Sequence, residues 1–403
     1  MTEKLPCLSG KTLLILGGGK FQIPLINKAK NFGLTVWIVD RDTNAPGAKY
    51  ADHLIPSSIT DVSSILSHIG NTHIDAVCTD QTDVGVRTVA ELASTLGLKG
   101  IGPNIAKRFT NKYCMRELLQ KQGLPVPKFI KIKELEEADA FIEDTGFPLI
   151  IKPPSSQSSK GVFLLRSREE FITHFPITKN ESTEEYVILE EFIEGIEYTV
   201  ESFVSRGGVY TLAISDKKHL QFNPCVAIRL TYPPDNCNIV CSLLKSMNEN
   251  AINALGLSFG ITHAEFRIRN GIPYLIEIAA RGGGTYIASD IIPAISGIDV
   301  YELLIRELFS LPVKIPPIQQ KAAILDFFSF DEGKILKISG LQEAQHIDGV
   351  TRIELNVKKR NYIHHISDDT NRHGFLIATG MRREEVRLIA EEVKKTVRIE
   401  YKK

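Results

Sequence analysis

Two acids sit where acids are costly. In 260–284 of this chain, Glu265 and Glu277 lie among Ala264, Phe266, Leu275, Ile276 and Ile278. A carboxylate in an apolar strand must be paired or bind a cation. Oxygen donors of this kind suit Mg2+, which takes a couple of carboxylates together with substrate phosphates. Arg281 and Gly282-Gly283-Gly284 follow at once, offering a planar donor fork and room for a ligand. The segment reads as a hairpin turning at Asn270-Gly271. A two-residue turn there, with regular pairing, sends the acids to opposite faces, because side chains alternate along a strand. A three-residue loop, Arg269-Asn270-Gly271, pairs Glu265 with Leu275 and leaves Glu277 diagonal on the same face, with His263 beside them. Joint metal binding therefore predicts the odd-length loop.

Three earlier segments offer partners for phosphate and nucleotide. Lys112 stands in Asn111-Lys112-Tyr113, and Lys152 ends the apolar run Leu149-Ile150-Ile151. The small-residue loop Ser155, Ser156, Gln157, Ser158, Ser159, Lys160, Gly161 comes next. Backbone N–H groups of such a loop cradle phosphate oxygens while lysines neutralise their charge. Val187-Ile188-Leu189 then runs into Glu190, Glu191, Phe192, Ile193 and Glu197, a polar hinge whose backbone suits an adenine edge and whose last acid suits ribose hydroxyls. Taken alone, each lysine reads as a surface charge, the serines as a flexible loop and the acids as a solvated strand end. Their order and company carry the reading.

Alternating strands and helices must position these groups. Strands over 12–16, 35–39 and 74–78 with helices over 24–32 and 84–96 imply a parallel sheet with crossover helices. One helix is predicted over 105–122, stopped by Gly123 and the extended Leu124-Pro125-Val126-Pro127. Short strands, helices and loops fill 128–310. The Pro-rich stretch 311–319 marks a boundary, and a charged helix over 383–395 lies near the end.

Gly17-Gly18-Gly19 after a strand, with Asp40 ending the next, invites a dinucleotide-binding reading and hence an oxidoreductase. Gln22 occupies the position of the third glycine of that fingerprint. The loop is better read as holding a small substrate or as a plain strand-to-helix turn.

Lysine plus arginine and aspartate plus glutamate number 48 each in the 403 residues. That balance gives no electrostatic reason to expect nucleic acid or an anionic membrane, and no apolar run has the length of a membrane span. The 6 cysteines are scattered without a CxxC pair, which reads as reduced thiols in a cytoplasmic protein.

In this order and spacing, the four segments resemble the ATP-grasp superfamily, and Asn371 to Gly380 is similar to the C-terminal domain of its biotin carboxylase-like and L-amino acid ligase-like branches. The resemblance spans about 5–380. It implies an α/β and α+β fold in three parts: a Rossmann-like pre-ATP-grasp domain (1–105), a two-lobed ATP-grasp domain (106–310) with a mobile lid at about 128–188, and a small α+β C-terminal domain (311–403). It implies an ATP-dependent carboxylate–amine ligase that forms an amide through an acyl phosphate, releasing ADP and phosphate. The cofactors implied are ATP and Mg2+, two ions, with Mn2+ as a substitute.

By the same resemblance, Lys112 and Lys152 match the phosphate lysines, and Ser155, Ser156, Ser158, Ser159, Lys160 and Gly161 the closing loop. Glu190, Glu191, Phe192, Ile193 and Glu197 match the nucleotide contacts, Glu265 and Glu277 the metal acids, and Arg281 the catalytic arginine, acting with Lys152. Substrate pockets of the family lie between its first two domains, which nominates Gly18, Asp80, Gln81, Thr82, Asp83, His219, Arg229 and Gly283. The partners are a small carboxylate and an amine, with no nucleic acid or membrane; a homodimer is compatible. Ala279 replaces the asparagine usual two residues after the second acid, which leaves a second Mg2+ open and keeps a non-catalytic nucleotide-binding protein as an alternative. A bicarbonate-using carboxylase is the other alternative, though the chain has no biotin-carrier segment.

Overall fold

The computed structural model describes residues 6–156, 159–221 and 223–402; Ser158 lies outside them. Four apolar residues in a row, Leu13 to Leu16, are fully buried because the strand Thr12–Leu16 runs inside a parallel sheet. Its neighbours are Thr35–Val39 and Ala76–Thr79, with His53–Ile55 at the edge. Helices Ile23–Asn31 and Val62–Ile69 make crossovers, and Val84–Thr95 follows the last strand of the sheet.

The single helix predicted over 105–122 is two helices, Pro103–Thr110 and Lys112–Lys121. Asn111 breaks them: its backbone is extended, and its side chain accepts from the Cys114 N–H at 2.9 Å. An N-cap ends one helix and starts the next, and it places Lys112 on the first turn.

A small antiparallel sheet follows, in the order Phe129–Ile132, Val187–Glu191, Leu149–Lys152, Phe163–Leu165. The main sheet has 8 strands, in the order Ile272–Ala279, Gly260–Arg269, Glu197–Ser205, Gly208–His219, Ala227–Tyr232, Ala322–Phe327, Gly374–Gly380, Val350–Leu355. It takes strands from both sides of the Pro-rich 311–319, because Ala227–Tyr232 pairs with Ala322–Phe327. Helix Arg383–Thr396 packs on its C-terminal part through Val386, Ala390 and Val393.

The hairpin corrects the expected loop. Asn270 and Gly271 have φ of 52° and 75°, the two positive values of a type I′ turn, and Arg269 pairs with Ile272. The register then shifts between Glu265 and Phe266, so that Phe266 faces Leu275 but Glu265 faces Glu277. Ile276 is the extra residue of a β-bulge. The acids share a face as directly opposed partners; the bulge, not an odd loop, puts them there. A second correction concerns the thiols. Cys237 and Cys241 are joined in a disulfide, at 4.9 Å between Cα atoms, on one face of helix Cys237–Leu255.

Among the described residues, no helix is long and apolar enough to cross a membrane.

Candidate active site

Lys152 and Glu190 lie on adjacent strands of the small sheet, two residues apart in register, and their side chains meet at 2.5 Å. Arg116 reaches the other oxygen of Glu190 at 2.8 Å. It stands one helical turn after Lys112, on the same face, and its guanidinium also donates to the carbonyl of Ile276 at 2.8 Å. The bulge is therefore held from behind by a fully buried arginine. Burial, reinforced by Arg116, lowers the pKa of Lys152 to about 8 against the opposing pull of Glu190. Lys112 donates to the Ser156 carbonyl at 2.7 Å and pairs with Glu277 at 3.0 Å.

A second cluster stands on the main sheet. Lys217 bridges Glu197 at 2.9 Å and Glu265 at 2.5 Å. Arg267 and His219 approach the other oxygen of Glu197 at 2.9 and 3.4 Å. Burial works to raise the pKa of Glu197, yet Lys217, His219 and Arg267 hold it well below the usual carboxylate range. Glu265 is depressed likewise, by Lys217 and His263 against burial. His263 bonds Glu201 through Nδ1 at 2.7 Å and Glu265 through Nε2 at 3.3 Å. Burial alone would keep its ring neutral, but the two acids raise its pKa to about 9.

Both clusters border one cleft of about 610 Å³. Lys112, Lys152, Ser156, Ser159, Glu190, Glu191, Phe192, Ile193, Glu197, His219, Glu265, Glu277, Arg281 and Asp83 all line it. Residues as far apart in sequence as Lys20 and Phe375 line it because the main sheet joins the middle and end of the chain, while Arg281 forks onto Asp83 of the first part, with Nε to Oδ1 at 2.9 Å and Nη2 to Oδ2 at 2.5 Å.

Other nominated residues stand outside this lining. The Gly18 N–H binds Asp40 at 2.9 Å, and a Cβ there would meet Ile38 at 2.9 Å; it serves the turn, and Lys20 and Phe21 reach the cleft instead. Asp80 is fully buried and accepts from Tyr301 at 2.5 Å and from the Gly282 N–H at 2.8 Å, so it fixes the glycines after Arg281. Arg229 pairs with Asp326 at 2.6 Å across two strands. Gly283 lets His263 pack close, its would-be Cβ lying 2.9 Å from Nδ1. Ser155 accepts from Arg87 at 3.1 Å and lines a neighbouring cavity of about 320 Å³. Lys160 is exposed, Gly161 accepts from Thr178 at 2.9 Å through its carbonyl, and Thr82 is half-buried.

Sequence reading missed Arg116, Lys217 and Glu201. Lys217 left a trace: it precedes His219 by two in a strand and so shares its face. The C-terminal lining residues Phe327, Asn356, Asp369, Arg372 and Phe375 left none, because only the shared sheet brings them to the cleft.

Comparison with known proteins adds the lineage. Residues 10–105 match a ribonucleotide synthetase preATP-grasp domain, 145–290 an ATP-grasp domain and 326–402 an L-amino acid ligase C-terminal domain 2. A formate-dependent phosphoribosylglycinamide formyltransferase of Prochlorococcus marinus is 25% identical over 346 residues, covering 84% of this chain and 86% of that protein. An L-arginine-specific L-amino acid ligase of Bacillus subtilis is 23% identical, covering 82% of each. The crystal structure of an L-amino acid ligase from Bacillus licheniformis superposes with a TM-score of 0.83 at 22% identity, over 98% of this chain and 100% of that one.

Proposed function

The chain belongs to the ATP-grasp superfamily, and from that premise we propose that it is an ADP-forming ligase that joins a carboxylate to an amine. The observation that carries this is the cleft itself: buried lysines on one side, two opposed carboxylates on the other. A polyphosphate and its counter-cation need that distribution of charge.

In this reading ATP lies between the small sheet and the main sheet. Lys152 and Lys112 meet its phosphates, and the backbone of Ser155, Ser156, Ser159, Lys160 and Gly161 closes over them. Phe192, the backbone of Glu191 and Ile193, and Glu197 hold the nucleoside. Glu190 has both oxygens engaged by Lys152 and Arg116, so it serves by aiming Lys152. The directly opposed Glu265 and Glu277 fit Mg2+. Among the described residues no third acid, histidine or cysteine completes a cage, so phosphate oxygens and water supply the rest. When bound, Mg2+ offsets the charge of the phosphates. Lys112, now on Glu277, is released to a phosphate oxygen.

The carboxylate oxygen attacks the γ-phosphorus and ADP leaves. The amine nitrogen then attacks the acyl carbon, phosphate leaves, and the nitrogen loses a proton. Arg281, held on Asp83, steadies the transferred phosphoryl group. The lid around 128–188 excludes water from the acyl phosphate. In this reading the chain has the three parts 1–105, 106–310 and 311–403, the last two sharing the main sheet, and it works in the cytoplasm where ATP is supplied.

The test is phosphate and ADP release against pooled amino acids and other carboxylates. Release should require Mg2+, a carboxylate and an amine together. Turnover of nicotinamides alone, or ATP hydrolysis indifferent to both substrates, would falsify the reading.

A further inference from the structure

One end of the cleft is apolar and is built from both ends of the chain. Leu230, Leu325, Phe327 and Phe375 share a face of the main sheet, since Leu230 is paired with Leu325 and Phe327 with Phe375. Phe21 closes the bay from the first part of the chain, packed edge-on to Tyr286 at 5.0 Å between ring centroids; Tyr286 lies 5.9 Å from Phe375.

Arg372 stands at the edge of this bay. Its guanidinium lies over the Phe327 ring at 3.8 Å. Nη2 donates to the Ala227 carbonyl and to Asp369, both at 2.6 Å. Nε is buried and, among the described residues, has no hydrogen-bond partner. A buried guanidinium N–H without an acceptor is costly, and Arg372 is a residue of the cleft lining. The group also lies within electrostatic reach of Glu265, so the bay adjoins the proposed reaction centre.

We propose that Arg372 and this bay recognise the second substrate, Arg372 taking a free carboxylate and the Phe21, Leu325 and Phe375 surfaces taking an apolar side chain. An amine substrate that is itself an α-amino acid keeps its carboxylate through the reaction. A fork donor stacked on an aromatic ring suits that group, and the rings beside it favour aromatic or branched aliphatic side chains over charged ones. The assignment rests on the ligase reading and narrows it.

Binding to the full-length protein with ADP and Mg2+ is measured by calorimetry with L-phenylalanine, L-leucine, L-lysine and L-phenylalaninamide. L-phenylalanine and L-leucine should bind at least about tenfold more tightly than L-lysine or the amide. In Arg372→Gln the preference of acid over amide should collapse; Arg372→Lys should keep part of it. The acid and amide comparison needs no variant, so a misfolded variant leaves the test intact. Equal binding of acid and amide, equal binding of lysine and phenylalanine, or no binding of any probe overturns the proposal. Hydroxylamine trapping, with ATP and pooled carboxylates, separates the two readings. A hydroxamate formed despite equal acid and amide binding removes only this recognition site, whereas no hydroxamate with any carboxylate removes the ligase reading as well.

Discussion

The two ion-pair clusters bordering the cleft differ in balance. On the small sheet, Lys152 and Arg116 share the single carboxylate of Glu190, so a buried cation is left in excess. On the main sheet, Glu197, Glu265 and Glu201 surround Lys217, Arg267 and His263, and the neighbouring cations keep Glu197 and Glu265 charged even in burial. The first cluster is incomplete without an anion. The second keeps carboxylates ionised and aimed, which a cation needs from its ligands. Burial of charge is expensive by itself; each cluster tolerates it by pairing, and only the first is left with an excess charge.

Removing the excess cation should have the largest effect. Lys152→Ala takes away a charge beside the phosphates and should lower kcat/KM for ATP on the order of a hundredfold or more. Unchanged turnover in a folded Lys152→Ala protein would reduce this lysine to a structural partner of Glu190. A change on the acid side should be milder. Glu197→Gln keeps the shape but leaves Lys217 short of a counter-charge, and KM for ATP should rise about tenfold, equal to about 1.4 kcal/mol, with kcat little altered. A larger loss in kcat than in KM would move Glu197 from holding the nucleoside to the chemistry.

The smallest effect is in the pH dependence of stability, where the two clusters should show opposite signs. His263 has its pKa raised from 6.5 to about 9, so its contribution is complete below 6.5 and is lost as pH rises through about 9. Lys152 has its pKa lowered from 10.5 to about 8. Between those values the unfolded chain binds the extra proton, and stability rises with pH. In urea unfolding, the cost of His263→Gln should shrink from pH 6 to 9.5, while the cost of Lys152→Met should grow from pH 8 to 10.5. The same sign for both would dissolve the contrast.

Much of the site was legible because its groups travel in local context. Lys112 follows a capping asparagine, Lys152 ends an apolar strand, and Glu265 and Glu277 interrupt two apolar strands of one hairpin. Arg116 hid because a cation in a helix is normally solvated and nothing nearby marks it as buried; Lys217 left only the trace that it shares a strand face with His219.

Local sequence determined the strands, the Asn270-Gly271 turn, the breaker at Gly123 and the types of residue available for catalysis, since each follows from backbone preference or side-chain periodicity within a few residues. Tertiary structure decided the rest. The bulge at Ile276 is chosen by a carbonyl that meets a buried arginine 160 positions earlier, not by the turn. The aromatic bay exists because 322–327 and 374–380 extend a sheet begun before residue 310. Pairing across such distances depends on which surfaces meet after the chain collapses, and no window of neighbouring residues contains that choice.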